Sequence, residues 1–145
     1  MTEVDFYILQ ETTLAARDHF VCRLAEKALL TGRHVVIKVH DEEHAESMSQ
    51  YLWSFKPESF VPHALNNHTP NSDSHPAESI IIDWQGNTNA HYDVIINAQT
   101  IVPKEFSRFN KLMEVVVQDE DLLTTTRENY QFYRDRGYPL KSHKL

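Results

Sequence analysis

Two stretches of this chain combine residue types that suit recognition chemistry. The first lies near the C-terminal end and holds Leu123, Arg127, Tyr130 and Arg134. At about 100° per residue these four fall within roughly 60° of one another on a helix. The stripe is apolar, basic, aromatic and basic in turn. Guanidinium forks meet carboxylates with paired hydrogen bonds, and a tyrosine ring walls an apolar pocket. Such a stripe suits an acidic or carboxylate-bearing peptide. The bland alternative is a solvated helix edge whose arginines pair with Glu128 or Glu120. Leu122, Thr126 and Tyr133 lie beside the stripe and are expected to face a sheet.

The second stretch is Trp53–His63, WSFKPESFVPH, expected as a loop after a helix. Pro57 and Pro62 fix their own φ and push Lys56 and Val61 toward extended backbone. Trp53, Phe55, Phe60 and Val61 then stand on a stiff segment. Four large apolar residues in one loop read as a presented patch. The plainer reading is aromatic cover for a sheet edge.

Other chemistry has weaker support. The chain has nine histidines. His63, His68 and His75 flank a polar loop, and His40 and His44 bracket Asp41–Glu43. None matches HExxH or paired CxxC, so solvated surface histidines and no metal site are expected. Cys22 has His19 one turn away, but a helical cysteine at an apolar position reads as core. No GxSxG elbow occurs. The glycines are Gly32, Gly86 and Gly137, none of them in the first strand–helix turn, Gln10-Glu11-Thr12-Thr13. A phosphate cradle needs glycine there, and neither GxGxxG nor GxxxxGK[ST] is present. Glu11 would also repel phosphate, and no cofactor is expected.

These residues need elements to position them. Val4–Leu9 reads as a buried strand, with Thr12 and Thr13 as N-cap candidates. Leu14, Val21, Cys22, Ala25, Ala28 and Leu29 recur at helical spacing, and Gly32 ends that helix. His34–Val39 is β-branched and reads as a second strand. Asp41 caps the next helix, with Ala45, Met48 and Leu52 inward. Asn66–Ser79 is a polar surface loop. Ser79–Trp84, Tyr92–Asn97 and Leu112–Gln118 read as strands, with a short helix in Glu105–Asn110. Asp119 opens a last helix that ends near Gly137. Strand–helix alternation predicts a three-layer α/β/α fold with a mostly parallel or mixed central sheet. Its topology would be like that of nucleotide-binding folds, without a nucleotide site.

Composition bounds the function. The chain has 145 residues, enough for one domain, with 41% hydrophobic and 24% charged residues. No apolar run approaches ~20 residues, so no membrane span is expected. The start, MTEVDFYIL, is acidic and unlike a secretory leader. Cys22 is the sole cysteine, which fits a cytoplasmic protein. The net charge of −7 disfavours direct nucleic-acid binding. Residues 122–145 hold Arg127, Arg134, Arg136, Lys141 and Lys144 against Glu128 and Asp135, a net +3 that leaves −10 on residues 1–121. A small basic patch on an acidic body points to an acidic partner met locally.

Over nearly its whole length the chain resembles the chi subunits of bacterial DNA polymerase III. The resemblance is carried by Phe6-Tyr7, the Cys22 helix, and Trp53 followed by Glu58-Ser59-Phe60-Val61-Pro62-His63. It is carried again by Arg127-Glu128-Asn129-Tyr130, then Tyr133-Arg134 and Gly137. It implies a noncatalytic accessory subunit of the clamp-loader complex. Trp53, Phe60, Val61 and Pro62 would face the psi subunit, or a DNA helicase at the same patch. Val116, Arg127, Tyr130 and Arg134 would hold the acidic C-terminal tail of single-stranded DNA-binding protein, which ends in phenylalanine. Leu123 and Gln131 depart from the family pattern, where lysines stand, and make the pocket less basic. The competing expectation is an α/β enzyme or binding protein for a nucleotide-like ligand.

Overall fold

In the computed structural model the described residues are 1–54, 63–65, 80–86 and 92–145, with backbone alone for 53, 54 and 63–65. They contain seven strands and three helices. The order is β1 (Glu3–Ile8), α1 (Leu14–Leu30), β2 (Val35–Lys38), α2 (Glu42–Ser54), β3 (His63–Leu65), β4 (Ile80–Asp83) and β5 (Val94–Asn97). A single 3₁₀ turn (Phe106–Arg108) follows, then β6 (Lys111–Val116), α3 (Glu120–Asp135) and β7 (Leu140–Lys144).

The strands form one sheet in the order β3-β4-β2-β5-β6-β1-β7. Every pairing is parallel, so the allowance for a mixed sheet is not needed. Parallel strands covered on both faces read as continuous apolar runs, and β2, β4 and β5 are buried along their whole length. Alternate residues serve two cores. Val35, Ile37, Ile82, Ile96 and Val115 pack with Val21, Cys22 and Ala25 of α1 and with Ala45, Met48 and Leu52 of α2. Val4, Phe6, Val36, Ile81, Ile95, Leu112 and Val116 pack with Phe106 and Phe109, in and just after the 3₁₀ turn, and with Tyr133 of α3. The three-layer architecture is as expected.

Local signals explain the helix ends. The Thr13 hydroxyl accepts from the Ala16 N–H at the start of α1. The Asp119 carboxylate accepts from the N–H groups of Asp121 and Leu122 at the start of α3. At the end of α3, Gly137 takes a positive φ of 79°. Its N–H donates to Arg134 O, and the Tyr138 N–H donates to Tyr133 O. This paired closure is a Schellman motif, and it turns the chain sharply into β7.

Two strands escaped the sequence pattern. β3 begins at His63, where the reading above ended a loop, and Trp53 lies in the last turn of α2. Phe60, Val61 and Pro62 fall outside the described residues, as does the whole Asn66–Ser79 loop. β7 is short and polar, LKSHK, and lies at the sheet edge, where burial imposes little pattern.

Candidate functional site

α3 crosses the β6–β1–β7 end of the sheet and leaves a groove along one side. The groove is open, about 580 Å³, and predominantly apolar. Its floor comes from Phe6 and Ile8 of β1, Val116 of β6 and Ser142 of β7. Its wall comes from Leu123, Thr126, Arg127, Tyr130 and Gln131 of α3. Phe6 and Ile8 are two apart on one strand and so share a face. Phe6 lies opposite Ser142 in the β1–β7 register, which places Ser142 on that face as well.

Tyr130 is the aromatic wall. It is 36% exposed, and its ring lies 5.3 Å from that of Phe6. Arg127 stands one turn earlier on the same side. Among the described residues, neither Arg127 nor Arg134 makes an ion pair, against the pairing with Glu128 or Glu120 considered above. Arg134 is exposed and lies a turn beyond the lined part of the groove. Val116, Arg127 and Tyr130 are therefore brought together, and Arg134 stands outside the groove's lining. Leu123 and Gln131 both line it.

The underside of α3 is anchored by polar contacts that sequence reading did not find. Tyr133 is fully buried, and its hydroxyl donates to Glu114 Oε2 at 2.7 Å. Asn97 Nδ2 donates to the same oxygen at 3.0 Å. Asn129 Nδ2 donates to Thr100 O at 3.0 Å. Burial pushes the Glu114 carboxyl up to about 7, against the hydrogen bonds that favour its charge. Tyr133 is pushed up as well, by burial first and then by the neighbouring carboxylate. The available signal was Glu114 itself, an acid inside the apolar run of β6.

The other candidates resolve as structure. Cys22 is buried, with its thiol 3.6 Å from Met48 Sδ, and the His19 ring lies against Tyr51. His40 and His44 prove to be neighbours. The His40 N–H donates to His44 Nδ1, and the two rings stack at 5.8 Å. His44 Nε2 lies 3.1 Å from Asp18 Oδ2 in a mostly buried setting. The expectation of a solvated His44 is therefore corrected: it ties the start of α2 to α1. Among the described residues no group of three His, Cys, Asp or Glu is gathered as a metal would require. No described helix is long and apolar enough to cross a membrane.

These features define a parallel three-layer α/β domain with a peptide-sized groove beneath its last helix. Its fold is similar to that of T4 UvsW, with a TM-score of 0.69 at 7% identity over 99% of this chain and 41% of that one. It is also similar to Mss116p DEAD-box helicase domain 2 bound to an RNA duplex, with a TM-score of 0.64 at 10% identity over 97% of this chain and 64% of that one. The chain spans less than two thirds of either structure, and at such identities the likeness is one of fold alone.

Sequence relatives are more specific. The family model of the DNA polymerase III chi subunit, HolC, matches residues 1–141. The DNA polymerase III subunit chi of Pseudomonas aeruginosa is 34% identical over 145 residues, covering 100% of this chain and 98% of that protein. The subunit of the same name in Escherichia coli is 30% identical over 147 residues, covering 98% of this chain and 97% of that protein. The chain belongs to the DNA polymerase III chi subunit family, accessory subunits of a polymerase that replicates DNA.

Proposed function

We propose that this chain is a noncatalytic cytoplasmic adaptor of DNA polymerase III. It links the clamp loader, through a psi subunit, to the C-terminal tail of single-stranded DNA-binding protein. The observation that carries this reading is the groove. Arg127 stands over an apolar floor of Phe6, Ile8 and Val116, with Tyr130 beside it. A peptide ending in phenylalanine needs an apolar slot for its ring and a cation for its terminal carboxylate, and this arrangement offers both. Arg134, a turn further along α3, meets acidic residues upstream. The psi-facing patch is assigned to Trp53, Phe60, Val61 and Pro62 on their composition and on the family resemblance. A DNA helicase is the other partner suited to that patch.

The test is fluorescence anisotropy with an acidic peptide ending in Asp-Phe. Binding on the order of micromolar is expected, since a short peptide loses freedom on docking. Amidating the C-terminus or replacing the phenylalanine should abolish most of it. Equal binding of the native and amidated peptides would refute the assignment. In a thermal-shift screen the tail peptide, rather than ATP or NAD, should raise the melting temperature.

A further inference from the structure

We propose that Lys144 is a second cation of the groove, supplied from the strand side, and that it contacts the acidic residues upstream of the tail's phenylalanine. The inference rests on the tail-binding reading and adds a residue to it. In the β1–β7 register Phe6 lies opposite Ser142, and Ile8 lies opposite Lys144. Phe6, Ile8 and Ser142 all line the groove. Side chains of one strand alternate between faces, so Lys144, two residues beyond Ser142, shares the groove's face. Neighbouring parallel strands lie about 4.8 Å apart, which sets Lys144 directly beside the floor residue Ile8.

The intervening residue confirms the alternation. His143 lies on the opposite face, where its ring stacks on Tyr7 at 4.7 Å and its Nε2 lies 3.6 Å from Asp5 Oδ2. The backbone at Lys144 is held, because the Leu145 N–H donates to Ile8 O and the Leu145 carbonyl accepts from Gln10 Nε2. Lys144 is exposed and has no ion pair among the described residues. Its charge is thus available for a ligand.

Charge complementarity selects the occupant. The groove's helix wall carries uncharged Leu123 and Gln131, so Arg127 is its only lining cation among the described residues. An acidic peptide lying between α3 and β7 would meet Arg127 on one side and Lys144 on the other. Two cations, one from the helix wall and one from the strand side, bracket a chain of carboxylates better than one, and they hold an extended peptide along the groove.

The experiment is calorimetric titration of wild type, Lys144→Ala, Lys144→Glu, Lys141→Glu and Arg127→Glu. The ligands are a long acidic peptide ending in Asp-Phe and a short one that keeps only the terminal dipeptide. Lys141 is on the same strand but the opposite face, opposite Asp5, and provides a charge-matched control. Lys144→Ala should weaken the long peptide about two- to fivefold, as for a partly exposed ion pair. Lys144→Glu should weaken it by about tenfold through like-charge repulsion. Lys141→Glu should bind as wild type, and the short peptide should not distinguish Lys144→Ala from wild type. If Arg127→Glu loses binding while Lys144→Glu keeps it, Lys144 is no part of the site and this inference alone fails. If Lys141→Glu weakens binding as much as Lys144→Glu, the effect is one of net charge and the inference fails. If wild type binds neither peptide, the tail reading fails and takes the Lys144 contact with it.

Discussion

Tyr133 donates a 2.7 Å hydrogen bond to Glu114, joining the buried side of α3 to strand β6. Tyr130 lies three residues earlier on the same helix, at the groove. Phe6 touches both: its ring is 5.3 Å from Tyr130 and 6.1 Å from Tyr133. The groove wall is therefore fixed to the sheet by a polar anchor and an aromatic contact one turn away. A wall positioned in this way loses little freedom when a peptide docks.

The anchor makes stability depend on pH. Glu114 is raised from 4.5 to about 7 in the folded protein, chiefly by burial. The folded state thus binds its proton more tightly than the unfolded state does. This stabilising contribution is fully present below about pH 4.5 and is lost as pH rises through about 7. The effect across that window is on the order of 3 kcal/mol. Glu114→Gln stays neutral, so urea unfolding between pH 5 and 8 should show a smaller fall in stability than wild type. Equal pH profiles for the two proteins would contradict the assignment.

Gly137→Ala isolates the turn that feeds β7. Gly137 has a φ of +79°, and an added Cβ would meet nothing within 4 Å. The cost is then backbone strain alone, about 1 kcal/mol. Thermal unfolding should show a modest loss, with tail binding retained. A loss several times larger would mean that the turn carries contacts beyond its conformation.

Much of this architecture was legible because burial enforces pattern. The helical spacing of Val21, Cys22, Ala25 and Ala28 gave α1, and the β-branched runs gave β2 and β5. The stripe of Leu123, Arg127 and Tyr130 was legible for the same reason: helical geometry puts them together whatever lies beneath. The floor was less visible. Ser142 lies more than a hundred residues from Phe6 and Ile8, and only strand pairing unites them. β7 was missed because an edge strand needs no apolar face. The Glu114–Tyr133–Asn97 network was missed because each partner sits on a different element.

Cys22 should be inert in the native state. Burial, with the nearby Asp18 charge adding to it, pushes its thiol up to about 12. The thiolate is the reactive form, so alkylation at neutral pH should be slow and should follow unfolding. Rapid stoichiometric labelling of folded protein, followed by mass spectrometry, would argue against the buried placement.

The proposed psi-facing patch has a separate test. Phe60→Ala or Trp53→Ala should weaken psi binding by about 2 kcal/mol or more, as truncation of a central aromatic anchor often does. Circular dichroism should show an unchanged fold. If both variants unfold, these side chains belong to the core and the patch is misassigned.

The most direct measurement is isothermal titration of the single-stranded DNA-binding protein tail into wild type and Arg127→Glu at low and high salt. Wild type should bind on the order of micromolar, about −8 kcal/mol, and more weakly as salt screens the partly exposed guanidinium. Arg127→Glu should show no binding, because a carboxylate would then face the ligand's own carboxylates. Wild-type affinity in Arg127→Glu would contradict the assignment of this groove to the tail.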